Sequence, residues 1–179
     1  ERIRHNLLKR RYTNEKIIHV AGLLRKHGVR FRTYNIIGFP TETHAEMLET
    51  LDLNLKIKPD FPWCSIYTPY PETDLTDFAI SQGYLESSFN FDAVPVSFFN
   101  DTILANVDRN FILNLHSLFQ ATILFPPMKR WLKYLLSLPH NSAYRFMFKA
   151  VYSLTCIRSE RRSPWSYLKL ALANRRLFR

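Results

Sequence analysis

Asn35-Ile36-Ile37-Gly38-Phe39-Pro40-Thr41-Glu42-Thr43 is the stretch that decides how this 179-residue chain folds. Ile36 and Ile37 close a run over residues 29–37 that alternates apolar with basic and then turns wholly apolar, the pattern of a strand with a buried far end. Gly38 to Glu42 supply turn chemistry, and Thr43 with Glu46 three residues on forms a capping box that opens a helix. Leu48, Leu51 and Leu55 give that helix an apolar stripe, and Pro59 ends it. Gly38 leaves room for the backbone to approach a ligand, Pro40 stiffens the turn, and the free N–H groups after Thr43 suit an anionic group. The same letters also serve an ordinary strand-to-helix connection, which needs a glycine and a cap for geometry alone.

On the N-terminal side, Thr13 caps a helix whose Ile17, Val20, Ala21 and Leu24 fall on one face, and Gly28 stops it. On the C-terminal side, Trp63-Cys64-Ser65-Ile66-Tyr67-Thr68 reads as a second strand. The turn Pro69-Tyr70-Pro71 follows, then a short helix from Asp74 to Gln82 closed by Gly83. Helix, strand, helix, strand, helix over residues 13–83 predicts parallel pairing through a right-handed crossover. Parallel sheets bind ligands beyond the C-terminal ends of their strands, so the turns at 38–42 and 69–71 are the candidate site. Further on, Pro95 interrupts an apolar stretch at 91–99, which reads as an edge strand or a loop. From Asp101 the pattern is helical: Leu104, Val107, Phe111, Leu115 and Leu118 form one stripe ended by Pro126-Pro127. Shorter helices are expected near 128–138, 142–157 and 164–177.

The 35–43 segment resembles the fifth-strand segment of radical S-adenosylmethionine (SAM) barrels, commonly apolar-Gly-apolar-Pro-Gly-Glu-Thr. Ser65-Ile66-Tyr67-Thr68-Pro69-Tyr70-Pro71-Glu72-Thr73-Asp74-Leu75, after Lys58-Pro59-Asp60, is similar to the sixth-strand segment, usually Pro-Tyr-Pro-Gly-Thr-x-Leu. Lys9-Arg10-Arg11-Tyr12-Thr13 and Lys26-His27-Gly28-Val29 occur in the family's order and spacing. The likeness spans about residues 1–85 and is nearest to the subgroup with an N-terminal cobalamin-binding domain. Thr41 and Glu72 stand where the family commonly has Gly, a residue that serves φ > 0. The resemblance implies an α/β fold: the C-terminal half of a partial parallel, TIM-like barrel over 1–85, then a mainly helical, basic extension over 86–179.

It also implies roles for particular residues. Ile36, Ile37 and Gly38 would lie along the adenine of SAM, with Pro40 shaping the turn. Glu42 would support that turn or reach the nucleoside. Arg10 would pair with the SAM carboxylate, a bidentate task that suits guanidinium, or stay a solvated surface cation. Pro69 and Tyr70 would shape the barrel mouth. The implied cofactors are SAM, a [4Fe–4S] cluster, and cobalamin through an upstream domain. The implied partners are a small-molecule or lipid-like substrate and an electron donor such as a flavodoxin or ferredoxin. The family's cluster needs Cys-x3-Cys-x2-Cys, and Cys64 and Cys156 cannot supply three thiolates, so the chain reads as a fragment whose cluster lies upstream. Alone it is not expected to be catalytic, and no residue here is assigned a catalytic or metal-binding role. The competing reading is a non-enzymatic membrane- or partner-binding module with a decayed barrel.

Charge separates the two parts. Residues 1–125 hold 13 Lys/Arg and 14 Asp/Glu, whereas 126–179 hold 12 Lys/Arg and only Glu160 as an acid. The tail mixes these cations with Trp131, Tyr134, Phe146 and Trp165, and Trp165, Leu168 and Leu172 share a helical face apart from Lys169, Arg175 and Arg176. Such a mixture suits an anionic membrane surface, or simply helices that cover the barrel with a basic face outward. No nucleic-acid-binding motif is present, and nucleic acid is not an expected partner. Two distant cysteines and no charged-then-apolar leader predict a cytoplasmic protein, peripheral to the inner face of the membrane through its tail.

Overall fold

The computed structural model describes residues 1–89 and 101–160, together with Trp165. The expected apolar segment at 91–99 and, Trp165 apart, the helix at 164–177 lie outside the described residues. A π-helical turn, Ile3–Leu7, leads into α1 (Asn14–Lys26), β1 (Arg32–Ile37), α2 (His44–Ile57), β2 (Phe61–Ile66) and α3 (Asp74–Ser81). Then come α4 (Arg109–Leu124), a 3-10 turn over Pro126–Met128, α5 (Lys129–Ser137) and α6 (Ser142–Glu160). The chain is mixed α/β. Its two strands pair in parallel, with Arg32 opposite Phe61 and Ile37 opposite Ile66.

Local chemistry sets the boundaries. Thr13 Oγ1 accepts from Lys16 N at 3.3 Å to start α1, and Gly28 at φ +66° ends it. Both halves of the capping box form on α2: Thr43 Oγ1 accepts from Glu46 N, and Glu46 Oε2 accepts from Thr43 N. β1 is shorter than expected, beginning at Arg32, and β2 lies two residues earlier than read, over 61–66. The helix expected from Asp101 starts only at Arg109, because Asn106 takes φ +57° and Asp108 Oδ1 caps Phe111 N at 2.9 Å. Leu104 is therefore not on α4; it joins a small apolar cluster with Ile3, Phe39, Tyr67, Ala79 and Leu85.

The sheet has two unlike faces. Ile37, Cys64 and Ile66 point into the main core with Met47 and Leu51 of α2 and with Ile112, Leu115, Leu118 and Phe119 of α4. Leu132 and Leu136 of α5 and Tyr144 of α6 complete that core. α4 is its centre, with every residue from Ile112 to Ile123 buried. Its Asn114 is held on both sides: Nδ2 donates to Leu138 O at 2.6 Å and Oδ1 lies 2.9 Å from His140 Nδ1. Burial pushes the His116 imidazole down to about 4, so it is neutral at pH 7 against the Phe148 ring. The opposite sheet face carries Arg32, Tyr34, Ile36, Phe61, Trp63 and Ser65, and there Tyr34 is 74% and Ile36 45% exposed. No helix among the described residues is long and apolar enough to cross a membrane.

Candidate functional site

A cavity of about 740 Å³ runs from the π-helical turn and α1 along β1 to the C-terminal ends of both strands. That volume falls in the usual range for small-molecule sites. Arg10, Ile36, Glu42 and Tyr70, all singled out in the sequence, line it. The other four do not. Ile37 is fully buried in the core, Pro40 and Pro69 are buried in their turns, and Gly38 faces away. A Cβ on Gly38 would meet Ile112 Cδ1 at 3.2 Å, and its φ is +79°. The structure thus accounts for this glycine by backbone conformation and the close passage of α4.

The turn after β1 is organised by two acids. Glu42 Oε2 accepts from Gly38 N at 2.7 Å and Phe39 N at 3.0 Å, closing the turn on itself. Burial is the largest influence on its carboxyl and pushes it up to about 7, against the two backbone donors that favour the charged form. Glu46 is the counterpart. Arg2 grips it with Nε to Oε1 at 2.6 Å and Nη2 to Oε2 at 2.8 Å, and holds its carboxyl down to about 2. Arg2 Nη2 also donates to Thr41 O at 2.7 Å, so one guanidinium ties the N-terminal turn to the loop.

Thr41 takes φ +63° and Glu72 φ +59°. Both positions where glycine is common in the resembling family are thus left-handed here, occupied by residues that are strained there. For a β-branched residue the strain is about 1–2 kcal/mol, against which glycine's extra unfolded-state entropy costs about 0.5–1 kcal/mol. Thr41→Gly is therefore expected to stabilise the chain by about 0.5–1 kcal/mol in urea unfolding. A destabilised variant would show that the strain is absent.

Several cavity residues escaped the sequence reading. Thr33, Asn35 and Asn54 form a closed polar cluster: Thr33 Oγ1 donates to Asn54 Oδ1 at 2.7 Å, and Asn54 Nδ2 donates to Asn35 Oδ1 at 2.8 Å. Asn35 Nδ2 also donates to Trp63 O at 2.7 Å, locking the cluster to β2. The available signal was Asn54, a polar residue beside the stripe of Leu51 and Leu55. Tyr67, buried against Phe39 with ring centroids 5.1 Å apart, also lines the cavity. His44 has a surface role: its Nε2 lies 3.2 Å from Asp108 Oδ2 and its ring stacks on Phe111 at 3.7 Å.

The cavity's donors and apolar walls fit a nucleoside with a charged tail: Ile36 and Leu75 offer apolar surface, and Tyr67 and Tyr70 bring phenols. Arg10 has no acidic partner among the described residues. An iron–sulfur cluster does not fit this chain. Cys64 and Cys156 are both buried, burial raises the Cys64 thiol well above its ordinary value, and no group of three His, Cys, Asp or Glu side chains among the described residues could hold a metal.

Comparison with known proteins gives two partial likenesses, and no protein-family model matches the chain. Over 70 residues the chain is 36% identical to a tRNA-2-methylthio-N(6)-dimethylallyladenosine synthase of Moorella thermoacetica, a match covering 38% of this chain and 16% of that protein. Over 73 residues it is 34% identical to an uncharacterized methyltransferase of Pyrococcus horikoshii, covering 41% of this chain and 16% of the relative. The chain thus matches only about a sixth of each relative's length, and both relatives bear the names of enzymes.

Proposed function

We propose that this chain is part of a radical SAM enzyme and forms one wall of its SAM site. One observation carries the reading: a cavity of small-molecule size at the C-terminal ends of two parallel strands gathers Arg10, Ile36, Glu42 and Tyr70. The likeness to a methylthio-modifying synthase and a methyltransferase supports it. In this reading the half-exposed Ile36 side chain offers adenine an apolar face, Arg10 pairs with the methionine carboxylate, and Tyr70 shapes the mouth. Phe39 lines the cavity, with Glu42 fixing the amides of Gly38 and Phe39. The two parallel strands and their helices belong, in this reading, to a partial barrel completed by polypeptide outside these 179 residues, which also carries the cluster thiolates.

Reductive cleavage of SAM is the chemistry the bound cofactor and cluster supply; this chain binds and orients. An electron-donor protein and a small-molecule or lipid-like substrate are the corresponding partners. Neither relative's name points to cobalamin, so the proposal is confined to SAM and the cluster.

The test uses the unreactive analogue S-adenosylhomocysteine and needs no cluster. In amide NMR spectra, millimolar analogue is expected to shift residues 36–39 and 67–70 together. Arg10→Ala is expected to weaken binding roughly tenfold, the value of one charge-assisted pair. Shifts scattered over the surface, or none, would refute the assignment.

A further inference from the structure

We infer that the ridge formed by the end of α4, the 3-10 turn and α5 docks on an anionic phospholipid surface. The inference is independent of the SAM reading. Its basis is the orientation of α5. Leu132 and Leu136 turn into the core, which fixes the opposite face outward. At about 100° per residue, Tyr134 and Arg130 lie nearest the middle of that outer face, with Trp131 on one flank and Lys133 on the other. Trp131 is 62% and Tyr134 63% exposed, and Phe125 just before them is 62% exposed beside the half-exposed Leu124.

Single exposed apolar residues are ordinary, but here four large ones fall within eleven positions of one ridge. Trp and Tyr beside cations have the chemistry of a bilayer interface, where an apolar ring body and a polar edge are both satisfied. Charge points the same way. Lys129 is paired with Asp52 at 2.6 Å, whereas Arg130 and Lys133 have no acidic partner among the described residues. They sit at the start of a tail with 12 Lys/Arg and a single acid, Glu160, which attracts an anionic headgroup layer. The ridge is built on an amphipathic helix after a proline turn, the kind of element that lies in a bilayer interface, whereas single-stranded nucleic acid calls for a charged groove with stacking platforms.

The experiment is flotation of the 179-residue chain with vesicles of phosphatidylcholine alone or mixed with phosphatidylglycerol. Binding is expected only to the anionic vesicles, with release at high salt. Arg130→Glu/Lys133→Glu is expected to weaken binding roughly thirtyfold or more, since each cation near the surface contributes about 1 kcal/mol. Trp131→Ala/Tyr134→Ala is expected to weaken it at low and high salt alike, because the lost contribution is apolar. All four positions are exposed, so circular dichroism should confirm that both variants stay folded. Equal binding to neutral and anionic vesicles would overturn the inference. So would unchanged binding by the charge-reversal variant, or binding to a short RNA with none to vesicles.

Discussion

Phe119→Ala is expected to destabilise the chain by about 4 kcal/mol, the largest loss any single truncation here should cause. Phe119 is 0% exposed and lies at the middle of α4, where every residue from Ile112 to Ile123 is buried. A helix hidden on all sides has no solvent face along which neighbours can relax into a void, so the cavity cost adds to the lost transfer energy. The core that would be opened joins β1, β2, α2, α4, α5 and α6. Leu124→Ala is the control: at the exposed end of the same helix it should change stability by less than about 1 kcal/mol. Urea unfolding of both variants decides the matter. A loss below about 1 kcal/mol for Phe119→Ala would mean that α4 is not the centre of the fold. Because Ile112 lies against Gly38, the Phe119 variant should also shift the Gly38 amide, linking core packing to the cavity loop.

What the sequence revealed and what it hid divide along the range of the interactions. The caps at Thr13 and Thr43 and the stop at Gly28 are contacts within a few residues, and they are where α1 begins and ends and α2 begins. The parallel pairing of β1 and β2 followed from the length of the helix between them. Long-range facts were not legible. Leu104 and Val107 keep helical spacing with Phe111, yet Asp108 caps the helix after them, because its carboxylate serves both Phe111 N and His44. All-round burial of α4 erases the periodic signal, since Asn114 and His116 look like a polar face until their partners Leu138, His140 and Cys64 are in place. Gly38 could not be assigned from its neighbours in sequence, because the atom that excludes a side chain belongs to Ile112. In the cavity, Arg10, Ile36, Glu42 and Tyr70 came from the family resemblance of their segments, while the Thr33–Asn35–Asn54 cluster depends on a helix crossing a strand.

Glu42→Ala is expected to cost about 3 kcal/mol, because it strips the acceptor from two buried backbone donors, Gly38 N and Phe39 N. Glu42→Gln keeps an acceptor in place and isolates the charge. The carboxyl stands at about 7 in the folded chain against about 4.5 when unfolded, so between these values the folded state retains a proton that the unfolded state has released. Stability from this group is therefore full below about pH 4.5, falls as pH rises, and is lost once pH passes about 7. The integrated change is at most about 3 kcal/mol. Glu46 contributes with the opposite sign: Arg2 holds it at about 2, so its contribution is present above about pH 4.5 and disappears on further acidification. Unfolding free energies at pH 5 and pH 8 for wild type and Glu42→Gln isolate this group: His116, held at about 4 by burial, adds stability as pH rises, but equally in both proteins. The stability of wild type relative to Glu42→Gln should therefore fall across that window. An unchanged difference would show that the Glu42 carboxyl is ionised throughout. The functional consequence follows from place: protonated or not, Glu42 holds the amides that end β1 at the cavity wall, so the wild type's NMR shifts at Gly38 and Phe39 should titrate near neutrality and those of Glu42→Gln should stay flat.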